Sequence, residues 1–204
     1  GSWQGRRFHV HAPIMNENVY TNLWTGPFYG FERVIETFDY TAAPRRLKPI
    51  NIYYHTYSAS KRAALDALHK VYRHALAQDV HPVFPSEYVR IAMNFNDVVL
   101  ARTLDGERYR VRNAPHLRTL RLPRELGVPD LPASTGVAGF RDDGEGRYVH
   151  LTADEAELSL AAVDARLPML ADANARILSA TRDGELYRFE LRAHVPLEFA
   201  LANA

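Results

Sequence analysis

The sequence predicts an α/β segment followed by an all-β segment, with the change near residue 98. Three observations carry this. Strand-like and helix-like patterns alternate up to about residue 97, the helical period largely disappears beyond Val98, and three Asp-Gly pairs, at 105–106, 143–144 and 183–184, each sit between strand-like runs. Residues 1–97 are therefore expected to supply strand–helix units of a parallel sheet or (β/α) barrel. Residues 98–204 are expected to form an antiparallel β-sandwich.

Along the chain, Arg7 to Ala12 alternates polar and apolar and is stopped by Pro13, which reads as a strand with Arg7, His9 and His11 on one face. The stretch Asn16 to Gly30, NENVYTNLWTGPFYG, has no clean period and suits a loop or broken helix over a pocket. Phe31 to Tyr40 fits a strand or a helix. Ile50 to His55 reads as a second strand, with Ile50, Ile52 and Tyr54 on one face and Asn51, Tyr53 and His55 on the other. Ser58 or Ser60 can cap a helix reaching about Gln78, whose stripe is Ala64, Leu65, Leu68, Val71, Tyr72, Ala75 and Leu76. Val80 to Phe84 is expected as a short strand and Glu87 to Phe95 as a second helix. Beyond Val98, Tyr187, Phe189, Leu191, Ala193 and Val195 alternate with polar residues, the pattern of a half-buried antiparallel strand.

Bulk composition bounds the chemistry. A chain of 204 residues with 47% hydrophobic content can fill an ordinary core, and 25 Lys and Arg against 24 Asp and Glu give no reason to expect a nucleic-acid partner. The absence of cysteine excludes disulfides, thiolate nucleophiles and Cys-ligated zinc, while leaving the compartment open. No apolar run is long enough for a membrane span. The Gly1-Ser2 opening, without an initiator Met, reads as an added dipeptide ahead of a piece of a longer protein.

If Ile50 to His55 is a strand of a parallel α/β barrel, its C-terminal histidine faces the mouth where such folds place their chemistry. An imidazole titrates near pH 6.5, so His55 could deliver a proton at neutral pH; the alternative is a structural histidine hydrogen-bonded at a strand end. His9 and His11 could bind zinc as neutral imidazoles, but no third ligand stands at a telling spacing, and a polar lining fits them better, with His11 nearer the pocket. Trp24, Phe28 and Tyr29 could stack on sugar rings or pack on one another. Glu17, Glu32, Glu36 and Asp39 could include a glycosidase pair, yet their spacing fixes none, so solvated acids and one charge partner for His55 are the plainer reading. His69 and His74 read as surface residues, Arg108, Arg110, Arg112, Arg118 and Arg121 as a solvated sheet face, and Glu87 as a possible support behind the site.

The phrases NENVYTNLWTGPFYGFERVIETF, RRLKPINIYYHTYSASKRAAL, GRYVHL and HVPLEFALA resemble the C-terminal part of the PelA family, periplasmic proteins of bacterial Pel exopolysaccharide biosynthesis that carry glycoside hydrolase and polysaccharide deacetylase domains. The likeness spans most of the chain. It implies that residues 1–97 are the C-terminal portion of a deacetylase-type barrel related to carbohydrate esterase family four. The last catalytic motif of that family is Leu-x-His, whose histidine acts as general acid on the leaving amine. Tyr53-Tyr54-His55 occupies those positions, with Tyr53 in place of the leucine that lines the acetyl pocket.

The resemblance further implies a metal-dependent N-deacetylase acting on an amino-sugar polysaccharide. Its cofactor would be a divalent metal, zinc by expectation, with metal ligands and catalytic base outside this chain, so that the chain alone is expected to be inactive. Glu17, with Asp39 behind it, is the candidate acidic partner of His55. Asn18, Trp24, Tyr29, His11 and Tyr53 are the substrate-binding candidates. A periplasmic or secreted location, other exopolysaccharide-secretion proteins as partners and no membrane span follow from the same likeness. Two rivals remain: a non-catalytic carbohydrate-binding or scaffolding segment, and a glycoside hydrolase. An Asp-Asp pair and His-x-x-x-His upstream would favour deacetylation, and their absence would favour binding.

Overall fold

A computed structural model describes residues 2–10, 31–43, 47–163, 165–184 and 186–203, apart from the side chain of Ser58. The chain divides into two compact units, Gly1–Val80 and His81–Ala204. The change of pattern expected near residue 98 falls inside the second unit, which includes the helix before it.

The first unit opens with a hairpin. Strand β1 (Ser2–Gln4) pairs antiparallel with β2 (Arg7–His9), and Trp3 lies edge-on to Phe8 with ring centroids 5.3 Å apart. Gly5 turns the chain at φ +61°, where a side chain is disfavoured. The Arg7 run is thus a strand, but its recorded partner is the segment before it. His11 and the whole Asn16–Gly30 stretch lie outside the described residues, and with them the candidates Glu17, Asn18, Trp24, Phe28 and Tyr29.

Phe31 to Tyr40, open between strand and helix in the sequence, is helical: a 3₁₀ turn over Phe31–Arg33 leads into α1 (Val34–Tyr40). Phe31, Val34 and Phe38 are buried, a spacing of three and four that only a helix places on one face. They pack with Ala67, Leu68 and Val71 of α2 (Arg62–Leu76); Leu68 and Val71 belong to the predicted stripe, whereas Ala67 does not and Leu76 of the stripe is exposed. Fully burying a side chain such as Val71, at 0% exposure, stabilises by roughly 1.5–3 kcal/mol. Lys48 Nζ donates to the Phe38 carbonyl at 2.7 Å, placing a cation on the C-terminal end of α1. Neither serine proposed as a cap plays that part. Ser58 and Ser60 belong to a 3₁₀ turn (Thr56–Ser60), and Lys61 occupies the cap position of α2, where its side chain does not cap the helix.

The strand expected over Ile50 to His55 is corrected. The segment has no ladder among the described residues, and neither does Val80 to Phe84. Every strand pair among the described residues is antiparallel, so these residues form no closed parallel barrel. The reason is that alternation sets the conformation of one segment, whereas a strand also needs a neighbour. The alternation itself holds: Ile50 and Ile52 pack on the α1–α2 core. Tyr54 meets Tyr72 of α2 edge-on at 6.1 Å. Burial, then the adjoining Tyr54, push the Tyr72 hydroxyl up to about 12.

The second unit begins with α3 (Pro85–Asn94), close to the predicted helix. Pro85 starts it and the Glu87 carboxylate accepts the Phe84 N–H at 2.9 Å. The remainder is β-rich. Strands β3 (Val99–Arg102), β4 (Arg108–Arg112), β6 (Val128–Pro129) and β9 (Ala156–Ala161) form a sheet in the order β3-β4-β9-β6. Strands β5 (Thr119–Leu122), β7 (Val137–Asp143) and β8 (Gly146–Leu151) form another in the order β5-β8-β7. Two further pairs are β10 (Met169–Ala173) with β13 (Phe199–Ala202), and β11 (Arg176–Asp183) with β12 (Leu186–Arg192).

All three Asp-Gly pairs fall in or beside the turns predicted for them. At the second, Asp143 Oδ1 accepts the N–H groups of Glu145 and Gly146 at 2.8 and 3.1 Å. In β12, Tyr187, Phe189 and Leu191 are half-buried between exposed neighbours, as the alternation requires. Val111 and Leu158 from the first sheet share one apolar cluster with Leu120, Leu122, Phe140, Val149 and Leu151 from the second.

Gly139 lies where β7 shifts register, at φ +155°, with the Leu170 carbonyl against the position a Cβ would take. Gly139→Ala is therefore expected to lower stability by about 1–3 kcal/mol, because backbone on both sides must move. Chemical denaturation of the two forms measures this, and coincident curves would refute the close approach.

Candidate functional site

Of the residues the sequence singles out for chemistry, Tyr53 and His55 fall within the described residues, and the structure brings them together. The extended backbone of 50–55 puts residues two apart on one side, so the Tyr53 hydroxyl lies 3.1 Å from His55 Nε2. His55 is extended (φ −105°, ψ 152°) and directly precedes the 3₁₀ turn of Thr56–Ser60. That turn folds Tyr57 back so that its ring stacks on the imidazole, with centroids 4.8 Å apart and planes 8° from parallel. Tyr53 meets the same imidazole edge-on at 5.1 Å. All three side chains reach solvent, Tyr53 at 41% and Tyr57 at 51% exposure.

This arrangement can hold and move a proton. A neutral imidazole accepts the Tyr53 O–H at Nε2, and an imidazolium donates Nε2–H to the Tyr53 oxygen. The hydroxyl therefore fixes the ring in either state. Exposed aromatic faces on each side also suit the apolar face of a pyranose.

The acidic candidates resolve differently. Asp39, held in reserve as the partner of His55, lies 3.2 Å from His74. Glu32 pairs with Lys70, and Glu36 approaches Arg33 at 3.8 Å. Each of these acids thus has a basic side chain beside it, which disfavours a free glycosidase pair among them. His74, read as a surface residue, is instead a half-buried partner of Asp39. Among the described residues no group of three or more His, Asp or Glu could hold a metal ion; the ligands of the divalent metal are expected outside this chain.

In the second unit, the Glu87 carboxylate accepts from His194 Nε2 at 2.8 Å, while Phe84 lies edge-on to the same ring at 4.6 Å. Glu87 therefore ties the start of α3 to the segment after β12, a role its sequence neighbourhood did not indicate. His150 on β8 lies 2.9 Å from the Ala171 carbonyl, and burial pushes its pKa down, which marks a neutral structural histidine. Of the arginines expected on a solvated sheet face, Arg108, Arg110 and Arg112 are exposed, the first two reaching Glu157 at 3.8 and 3.2 Å. Arg118 departs from that expectation, with its side chain only 16% exposed.

No family model, curated protein or solved structure matches the chain.

Proposed function

We propose that this chain is part of a bacterial exopolysaccharide-modifying enzyme that removes N-acetyl groups from an amino-sugar polymer, with His55 as the general acid. In this reading residues 1–97 belong to a deacetylase-type barrel and residues 98–204 to a β-sandwich, working in the periplasm or outside the cell. The single observation that favours it is the solvent-reaching imidazole of His55, oriented by the Tyr53 hydroxyl and stacked on Tyr57. A proton donor must reach a substrate and keep its ring in place, and this geometry suits both needs.

Hydrolytic deacetylation breaks the C–N bond of an N-acetyl group, adding hydroxyl to the acyl carbon and releasing acetate. The departing nitrogen leaves as an amine only if it takes up a proton. His55 would supply that proton from Nδ1 of its imidazolium, and the neutral ring left behind would keep its Nε2–H on the Tyr53 oxygen. In this reading the ligands of the divalent metal lie outside this chain.

Tyr53→Phe isolates the positioning role. In a longer protein carrying this chain and releasing acetate, losing one hydrogen bond worth about 0.5–1.5 kcal/mol should lower kcat roughly 2–10-fold and leave KM unchanged. A rise in KM with kcat unchanged would instead assign Tyr53 to substrate binding.

The exposed rings of Tyr53 and Tyr57 favour a second reading, a non-catalytic carbohydrate-binding segment. Polymer binding that depends on these rings without any acetate release in the longer protein would establish it.

A further inference from the structure

The loop after β4 gathers cationic groups with few acids to meet them. Asn94 of α3, only 5% exposed, organises this loop: its Oδ1 accepts the N–H groups of His116 and Leu117, each at 3.0 Å, and its Nδ2 donates to the Asn113 carbonyl at 2.8 Å. Arg90 stands four residues earlier, on the same face of α3. Arg118 follows two residues after His116 and donates Nη2–H to Asp154 Oδ1 at 2.6 Å. Arg176, at the start of β11, reaches the same loop and donates Nη2–H to the Pro115 carbonyl at 2.9 Å.

Donors are left over in this cluster. Arg118 Nε and Nη1 and Arg176 Nε are buried and have no hydrogen-bond partner among the described residues. Arg176, Arg90 and Arg118 act on the His116 imidazole with one sign and Asp154 with the other, and the Asp154 side chain is 61% exposed. Burial and the three arginines push the His116 imidazole toward its neutral form. Buried guanidinium donors ordinarily find acceptors, and a charged donor is best satisfied by an anionic oxygen. Arg147 in the same unit obeys this rule, committing Nε, Nη1 and Nη2 to protein oxygens.

We propose that Arg90, His116, Arg118 and Arg176 form a binding site for an oxoanion, a phosphate or carboxylate group carried by a ligand. Guanidinium groups present several N–H donors in a plane suited to such oxygens, and they remain charged at any working pH. The Asn94 amide fixes the backbone of the loop that carries His116 and leads into Arg118. His116 adds a donor that the anion itself favours, because a negative charge nearby stabilises the imidazolium. The site involves none of the residues assigned to proton transfer at His55, and it stands whether or not deacetylation does.

The test is a titration of the 204-residue chain with inorganic phosphate, and separately with acetate, at constant ionic strength maintained with sodium chloride. His116 is followed by its ring-proton NMR signals. Saturable binding is expected, together with a rise in the His116 pKa as anion is added. Affinity should fall at least 10-fold in Arg118→Gln and Arg176→Gln and less in Arg90→Gln, which alters only an exposed side chain. Saturation by phosphate but not acetate would identify a phosphate-bearing ligand, and the reverse a carboxylate. The proposal is overturned if His116 titrates identically with and without both anions in the unsubstituted protein, a comparison that needs no variant to fold. It is equally overturned if the arginine variants, shown by circular dichroism to be folded, bind as well as the parent.

Discussion

Replacing His55 with alanine is expected to reduce acetate release by about 10²–10⁴-fold in a longer protein that carries this chain and deacetylates an amino-sugar polymer. The range is that of a general acid whose removal leaves the amine to depart without a positioned proton. Polymer binding should change far less, because Tyr53 and Tyr57 keep their exposed rings. The fold should tolerate the change. His55 is exposed, and its segment is anchored by Ile50, Ile52 and Tyr54 on α1 and α2. Measuring acetate and polymer binding side by side decides the matter. Full acetate release by His55→Ala would sink the proton-transfer role, and loss of binding with turnover unchanged would make the residue a sugar contact.

Asp142→Ala should destabilise the second unit by about 3 kcal/mol. Arg147 on β8 is buried, and the Asp142 carboxylate on β7 receives two of its N–H groups: Nε to Oδ1 at 2.7 Å and Nη2 to Oδ2 at 2.8 Å. Nη1 donates to the Gly127 carbonyl, and the guanidinium lies 5.2 Å from the Phe140 ring centroid. Removing the acid leaves a cation in an apolar setting, which costs about 3–5 kcal/mol when both partners are sealed from water. Asp142 keeps 39% of its side-chain surface, so water can reach the vacated side and the lower end of that range applies. Replacing both residues by apolar ones of similar volume, Asp142→Leu with Arg147→Met, should recover much of the loss. Urea denaturation of the single and double variants measures both effects, and a single variant as stable as the parent would show that the pair contributes little.

The parts of the fold legible in the sequence are those fixed by neighbours along the chain. The helical stripe of α2 repeats every three or four residues and needs only its own turns to be recognised. The Asp-Gly hairpins are similarly local, since Asp143 satisfies the turn N–H groups two and three residues on. The extended run ending at His55 was legible to the same degree. Its alternation correctly sent Ile50 and Ile52 toward the core and Tyr53 toward His55, but it carried no information about whether another strand lies alongside.

Pairings between distant residues were not legible. Glu87 meets His194 across 107 positions of sequence, and Arg147 reaches Gly127 from 20 positions away. Asp39 looked available to His55, yet α1 and α2 pack so that it meets His74 instead. Arg118 belongs by spacing with the exposed arginines of β4, and only the approach of β11 and α3 to the loop makes it a half-buried donor.

The sequence by itself determined the helices α2 and α3, where the hairpins turn and which face of the 50–55 segment carries Tyr53 and His55, because each depends on backbone preference and side-chain period over a few residues. Only the tertiary structure decided which extended segments gain partners, which acids are already engaged and which arginines are left with unmet donors, because those outcomes depend on surfaces brought together from far apart in the chain.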